Sequence, residues 1–171
     1  MRNIFLIGFM GVGKSTIAYH LQSILNADVV EMDHFIAKQQ KMSIAEIFEK
    51  FGESYFRDLE SNLLLDIRKK QGLIVSCGGG IVIREENIGY MKQSGVIVLL
   101  SALPETIYER VKDSKERPIL NGNMNIAYIA KLQEKRRALY EAAADITIAT
   151  DQKDIHTICE EIIAAIQKEL H

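Results

Sequence analysis

Ile4-Phe5-Leu6-Ile7 followed by Gly8-Phe9-Met10-Gly11-Val12-Gly13-Lys14-Ser15 is the stretch that decides the fold. The four apolar residues read as a buried strand. The next eight fit the phosphate-loop pattern G-x-x-x-x-G-K-[ST]. Ile17, Ala18, Leu21, Ile24 and Leu25 then recur at helical spacing. Strand, Gly-rich turn and helix is the setting in which that pattern has a physical meaning. Glycines let the backbone wrap a phosphate chain with no Cβ in the way. The N–H groups that open the helix point at the anion. Lys14 adds a point charge between the outer phosphates, and the Ser15 hydroxyl can ligate Mg²⁺.

Four more apolar, β-branched runs follow: Val29-Val30 with their flanks, Leu73-Ile74-Val75, Val96-Ile97-Val98-Leu99-Leu100 and Ile146-Thr147-Ile148. Helical patterns separate them. Short apolar runs of this kind predict strands buried on both faces, hence an α/β fold with a five-stranded parallel sheet flanked by helices in three layers, α/β/α. Ser43-Ile44-Ala45-Glu46 is a capping box that starts a helix at Ile44. Pro104 suits the first turn of the helix carrying Ile107, Tyr108 and Val111. Ile155, Ile158, Cys159, Ile162, Ile163, Ile166 and Leu170 form one face of a last amphipathic helix, which predicts packing on the sheet.

Two stretches break the simple alternation. Residues 33–70 hold only helical patterns between the second and third strands, which predicts a helical insertion. Residues 113–125 lack periodicity and carry Pro118 and Gly122. A loop this long in a compact domain is usually functional, and a lid is the expected form beside a phosphate loop.

Composition narrows the class. A chain of 171 residues with 47% hydrophobic and 26% charged content fits one soluble domain, residues 1–171, with a real core. A net charge of -2 argues against a nucleic-acid or membrane-surface partner. No apolar run approaches the ~20 residues of a membrane span, and the N-terminal one is too short for a signal peptide. Cys77 and Cys159 form no C-x-x-C pair and read as small core residues of a cytoplasmic protein.

Three groups should meet at the carboxyl ends of the strands, where open parallel sheets bind ligands. Glu31 and Asp33 close the second strand, and period-2 alternation sends them to the same side. Two carboxylates there can hold Mg²⁺ and orient, or take a proton from, an attacking hydroxyl; alternatively Asp33 caps the next helix. Gly78, Gly79 and Gly80 follow the third strand. Three glycines in a row cost stability, so they point to close backbone approach to a ligand, or to a tight strand-end turn. Arg57, Arg117 and Arg136 are suited to gripping carboxylate or phosphate. Arg117 falls in the expected lid, where it could neutralise a phosphoryl group in transfer. Each arginine could instead be a surface charge, and Glu60 stands three residues after Arg57, at ion-pair spacing. His34 reads as incidental. These residues describe a small phosphoryl-transfer enzyme using Mg²⁺ and a nucleoside triphosphate. The absence of an N-K-x-D motif disfavours a GTPase.

Taken together the motifs resemble those of the shikimate kinase family over essentially the whole chain. Its phosphate loop is matched by residues 8–15 with Thr16, its F-R-x-x-E by Phe56-Arg57-Asp58-Leu59-Glu60, and its G-G-G by Gly78-Gly79-Gly80. Its lid R-P-[LI]-L is matched by Arg117-Pro118-Ile119-Leu120, and its R-x-x-x-Y by Arg136-Arg137-Ala138-Leu139-Tyr140. The resemblance implies a P-loop kinase fold with a helical substrate-binding insertion at about 33–61 and a lid at about 113–125. It implies phosphorylation of the 3-hydroxyl of shikimate by ATP on the route to chorismate and aromatic amino acids. Asp33 would orient that hydroxyl or act as its base, and Arg57 and Arg136 would hold the carboxylate. The glycine triplet would give backbone contacts to the acceptor. Lys14 and Arg117 would stabilise the phosphoryl group. ATP would lie on Gly11, Val12, Gly13, Lys14, Ser15 and Thr16, with Arg110 and Arg117 beside it and the adenine loop near residues 150–153. Ser15 and Glu31 would hold Mg²⁺. A monomer is expected.

One departure stands out. The family pattern at the second strand end is D-x-D, whereas this chain has Glu31-Met32-Asp33. Glutamate keeps the charge and adds a methylene of reach, so the metal contact becomes direct or the metal shifts. The competing expectations are a gluconate or nucleoside monophosphate kinase of the same fold, and a nucleotide-binding module without catalysis.

Overall fold

Each of the five apolar runs forms a strand: β1 (Asn3–Ile7), β2 (Asp28–Glu31), β3 (Leu73–Ser76), β4 (Gly95–Ser101) and β5 (Ile146–Ala149). The structure, a computed structural model, describes residues 1–113 and 125–170. All strand pairs are parallel, in the order β2-β3-β1-β4-β5. Among the described residues seven helices connect and flank them: α1 (Lys14–Leu25), α2 (Met32–Gln40), α3 (Ile44–Ile67), α4 (Glu85–Ser94), α5 (Pro104–Val111), α6 (Ile126–Ala143) and α7 (Ile155–Glu169). A 3-10 turn spans Ile81–Ile83.

The central strands β1 and β3 are buried along their whole length, as is β4 up to its last residue. The edges differ from the expectation of burial on both faces. In β5, Ile146 and Ile148 are buried while Thr147 and Ala149 face solvent, and β2 is only partly covered. An edge strand has one neighbour and less helix above it, so alternation returns there. The last helix shows the same gradation: Ile158, Cys159 and Ile162 are buried and Ile163 and Ile166 pack on the core, but Ile155 and Leu170 at its ends are exposed. Both cysteines are buried and free.

Ser43 caps α3, with the Glu46 amide donating to the Ser43 Oγ at 3.1 Å. Pro104 opens α5. The stretch expected to be helical, 33–70, holds α2 and α3 with a short turn between them, but α3 is broken at Gly52, whose φ of 83° and ψ of 172° lie outside helical geometry. Only glycine adopts that conformation without strain. The break divides α3 by role. Its later part sends Leu64 and Ile67 into the main core. Ile36 and Ile47 meet Phe56 in a second small core. The insertion therefore carries its own apolar support beside the sheet.

The register sets the site. Leu6 pairs with Ser76, and the Cys77 amide donates to the Leu6 carbonyl at 3.0 Å. The phosphate loop and the glycine triplet therefore leave adjacent central strands side by side.

Candidate active site

A cleft of about 510 Å³ opens at that point. At one end lies the phosphate loop. Gly13 is the N-cap of α1, at φ 98° in the left-handed region, and no side chain caps the helix. A helix leaves its first-turn N–H groups without intrahelical partners, so these donors are available to an anion. Lys14 Nζ donates to the carbonyls of Gly8 (2.7 Å) and Phe9 (3.1 Å), which holds the charge over the loop. Arg110 reaches from α5 to the carbonyls of Gly11 and Val12 (3.2 and 3.1 Å) and to Thr150 (3.2 Å to its Oγ1). This one guanidinium ties the phosphate loop to residues 150–153, where the adenine loop is expected.

Across the cleft are Glu31 and Asp33. Glu31 closes the second strand as expected, but Asp33 reaches the cleft by a different route from the one the alternation argument gives. β2 ends at Glu31, which is itself the N-cap residue of α2, and Asp33 lies in the first turn of that helix. Met32 between them is fully buried and anchors the turn. Asp33 is therefore not the cap, and it does not owe its position to strand pleating, whereas Glu31 is the last strand residue, in register with Ser76. A carboxylate in the first turn of a helix is favourably placed in the helix field. A Cβ on Gly78 would fall 2.7 Å from Asp33 Oδ1 and 2.8 Å from Glu60 Oε2. The absence of a side chain at 78 is what lets two carboxyl groups converge.

Arg57 is an ion-paired residue and also a wall of the cleft, and it is buried rather than a surface charge. Its Nη1 donates to Glu60 Oε1 at 2.6 Å and its Nη2 to Glu53 at 3.2 Å. Phe48 and Phe56 flank it, with ring centroids 6.0 and 5.3 Å from Cζ. A Cβ on Gly80 would lie 2.5 Å from that Cζ, so only glycine lets the backbone rest against the guanidinium. Burial works against the arginine's charge, but Glu60 and Glu53 outweigh it and raise its pKa. Arg136, on α6, faces Gly79, and Tyr140 one turn later donates its hydroxyl to the Gly79 carbonyl.

Glu60 has no exposure, and its Oε2 is the one buried side-chain polar atom without a partner among the described residues. Burial pushes its carboxyl up to about 7; Arg57 pulls the other way and Asp33 adds to the rise. The native state therefore keeps this proton up to about pH 7, whereas the unfolded chain releases it above the ordinary 4.5. A raised carboxyl pKa gives stability that is full below the unfolded value and lost as pH climbs through the folded one. The size is on the order of 3 kcal/mol. In melting curves, the wild-type protein should lose several degrees relative to Glu60→Gln as pH rises through that window. Parallel pH profiles for the two proteins would contradict the assignment.

Of the expected site residues, Gly11, Gly13, Lys14, Ser15 and Thr16 line the phosphate-loop end of the cleft with Arg110. Glu31, Asp33, Arg57, Arg136 and the three glycines line the rest. Val12 does not, because its side chain is in the core and only its carbonyl is used, by Arg110. Arg117, and the lid at 113–125 apart from its two end residues, lie outside the described residues. His34 borders the cleft. Sequence reasoning missed Glu60 as a member of the site, and Phe48 and Phe56 as its walls. Phe-Arg-x-x-Glu was the available signal for Glu60. An aromatic on an amphipathic helix reads as core and gives none.

The family model for shikimate kinase matches residues 10–167. A shikimate kinase of Dehalococcoides mccartyi is 42% identical over 160 residues, covering 94% of this chain and 90% of that one. A solved shikimate kinase from Acinetobacter baumannii, in complex with shikimate, superposes with a TM-score of 0.92 at 31% identity, covering 99% of this chain and 94% of that one. The shikimate kinase of Aquifex aeolicus gives a TM-score of 0.84 at 38% identity, with 98% of each chain covered.

Proposed function

The chain belongs to the shikimate kinase family, and from that premise we propose how its own residues move a phosphoryl group from ATP to the 3-hydroxyl of shikimate. The activity is that of a small-molecule kinase of the shikimate pathway, with ATP as co-substrate. The observation that carries the residue assignment is the shared cleft: a phosphate loop, a carboxylate and two arginines converge on three glycines.

Arg57 and Arg136 hold the shikimate carboxylate, since a planar fork matches a carboxylate and both line the acceptor side. Gly78, Gly79 and Gly80 let the sugar-like ring approach the backbone, with the N–H groups of Gly79 and Gly80 as donors. Asp33 hydrogen-bonds the 3-hydroxyl and takes its proton as the new O–P bond forms and the bond to ADP breaks. Lys14, joined by Arg117 from the lid, neutralises the charge on the phosphoryl group in flight. Gly11, Val12, Gly13 and Thr16 supply backbone to the phosphates, and Arg110 borders the adenine.

Ser15 and Glu31 would hold Mg²⁺. The donors on this side of the cleft are a hydroxyl and carboxylates, hard oxygen ligands that suit an ion shared with nucleotide phosphates rather than caged by protein. Bound there, Mg²⁺ supplies charge neutralisation to the phosphates.

The chain acts as one domain, residues 1–171, with an acceptor-binding insertion at about 33–61 and a lid at about 113–125. It works as a cytoplasmic monomer whose partners are ATP and shikimate, without nucleic acid or membrane. Among the described residues no helix is long and apolar enough to cross a membrane.

Phosphorus–proton correlation NMR of the product tests the assignment of the reacting hydroxyl. The expected result is a single phosphate ester on the 3-oxygen. An ester at another oxygen, or free phosphate with unmodified shikimate, would contradict the positions given to Asp33 and Arg57.

A further inference from the structure

On the far side of the α3 turn that presents Arg57 and Glu60, a separate polar network joins that turn to the loop carrying the glycines. Ser61 Oγ donates to Asn87 Oδ1 at 2.7 Å, and Asn87 Nδ2 donates to the Ile81 carbonyl at 3.0 Å. Arg84 Nη1 donates to Asp58 Oδ1 at 2.7 Å and meets Ser61 Oγ at 3.5 Å, while its Nη2 donates to the Ser54 carbonyl at 3.3 Å. Asn87 is fully buried and Ser61 nearly so.

We propose that Arg84 and Asn87 form a clamp that sets the gap between the Arg57 guanidinium and the backbone of Gly79 and Gly80, and are thereby positioning residues for the acceptor. The inference rests on the reading above, in which Arg57 and these glycines hold shikimate. Three observations carry it. First, strand pairing fixes β3 only as far as Ser76, with one further bond at Cys77. Beyond it the loop has local turn bonds at Ile81 and Ile83, the Tyr140 hydroxyl and this clamp. Second, Ser61 follows Arg57 by one helical turn, and Ile81 directly follows Gly80. The clamp thus joins the neighbours of both groups that must face one another. Third, the tolerance is small, because Gly80 abuts the guanidinium so closely that a Cβ would overlap Cζ. A shift of the loop by a fraction of an ångström changes what fits between Arg57 and the Gly80 amide. Sites of this kind depend on supporting residues for their geometry. Arg84 also reaches Ser54, two residues past the break at Gly52, so it pins the start of the segment that carries Arg57.

Steady-state kinetics on Arg84→Met, Asn87→Ala, Arg57→Ala and the Arg84→Met/Arg57→Ala double variant test this. Arg84→Met and Asn87→Ala should each raise the KM for shikimate by about tenfold and leave the KM for ATP within about twofold. Arg84→Met should add little once Arg57 is absent, because the clamp acts through it. The Arg84 side chain is 27% exposed, so Arg84→Met remains a decisive test even where Asn87→Ala does not fold. An unchanged shikimate KM in Arg84→Met, a parallel rise in both KM values, or full additivity with Arg57→Ala would each overturn the clamp. If Arg57→Ala itself leaves the shikimate KM unchanged, the acceptor reading fails and the clamp with it. A raised KM in Arg57→Ala with a normal Arg84→Met removes the clamp alone.

Discussion

Replacing Asp33 by Ala is expected to cut kcat by about a thousandfold while leaving the KM for ATP within about twofold of its starting value. The residue stands on the first turn of α2 with Oδ1 close to Gly78, at the junction of the glycine triplet and the acceptor side of the cleft. Its neighbours are poor substitutes. Glu60 is fully buried, with one oxygen already given to Arg57, and its burial favours the protonated form below about pH 7. Glu31 sits at the end of β2 and is proposed to serve the metal. The nucleotide side is held by other means, chiefly Gly13 opening α1 and Arg110 gripping the Gly11 and Val12 carbonyls. Turnover in the Ala variant within a few-fold of wild type would take the hydroxyl-activating role away from Asp33. Asp33→Asn keeps the shape and loses the base, so a loss of similar size in Asn assigns the effect to proton transfer rather than to orientation.

Arg57→Ala should raise the KM for shikimate by about a hundredfold, with a smaller fall in kcat and little change in the KM for ATP. Removing one partner of a buried pair ordinarily costs several kcal/mol of stability, because the other charge is left behind. Here that cost is blunted. Glu60 already tends toward its protonated form and discharges when the guanidinium is gone, so the variant folds and its kinetics can be read. The loss then falls on the acceptor, whose carboxylate keeps only Arg136 and the glycine amides. Shikimate KM values that match in variant and wild type would remove Arg57 from the acceptor site. Arg57→Lys should recover only part of the loss, because a point charge replaces a fork held between Glu53, Glu60 and two aromatic rings.

The parts of the molecule legible in the sequence are those whose physics is local. The phosphate loop is written in eight consecutive residues, and the strands show as short apolar runs bounded by turns. The capping box at Ser43 and the proline at 104 mark helix starts through nearest-neighbour chemistry, and both starts are found where those residues stand. Alternation puts Asp33 in the right cleft by the wrong geometry. It assumes that the strand continues, but β2 stops at Glu31 and Met32 turns inward to begin a helix, which propensity alone does not announce. The bonds from Arg110 to the phosphate loop span 98 and 99 positions in sequence, and only the parallel order of the sheet brings those segments together. Glu60 illustrates a subtler gap. Its spacing from Arg57 is visible in the sequence, but its complete burial beside Asp33 depends on Gly78 having no side chain. The edge strands show alternation that a general rule for parallel sheets does not supply, because their exposure follows from position in the sheet.

The most direct measurement is ADP release by the purified protein with ATP and Mg²⁺, offered shikimate, gluconate, AMP or no acceptor in parallel. The cleft joins a phosphate loop to two arginines proposed to bind the acceptor carboxylate, so release is expected with shikimate and only at background level with the other three. Equal release with gluconate or AMP, or release that is independent of any acceptor, would contradict the assignment of Asp33, Arg57 and Arg136 to shikimate.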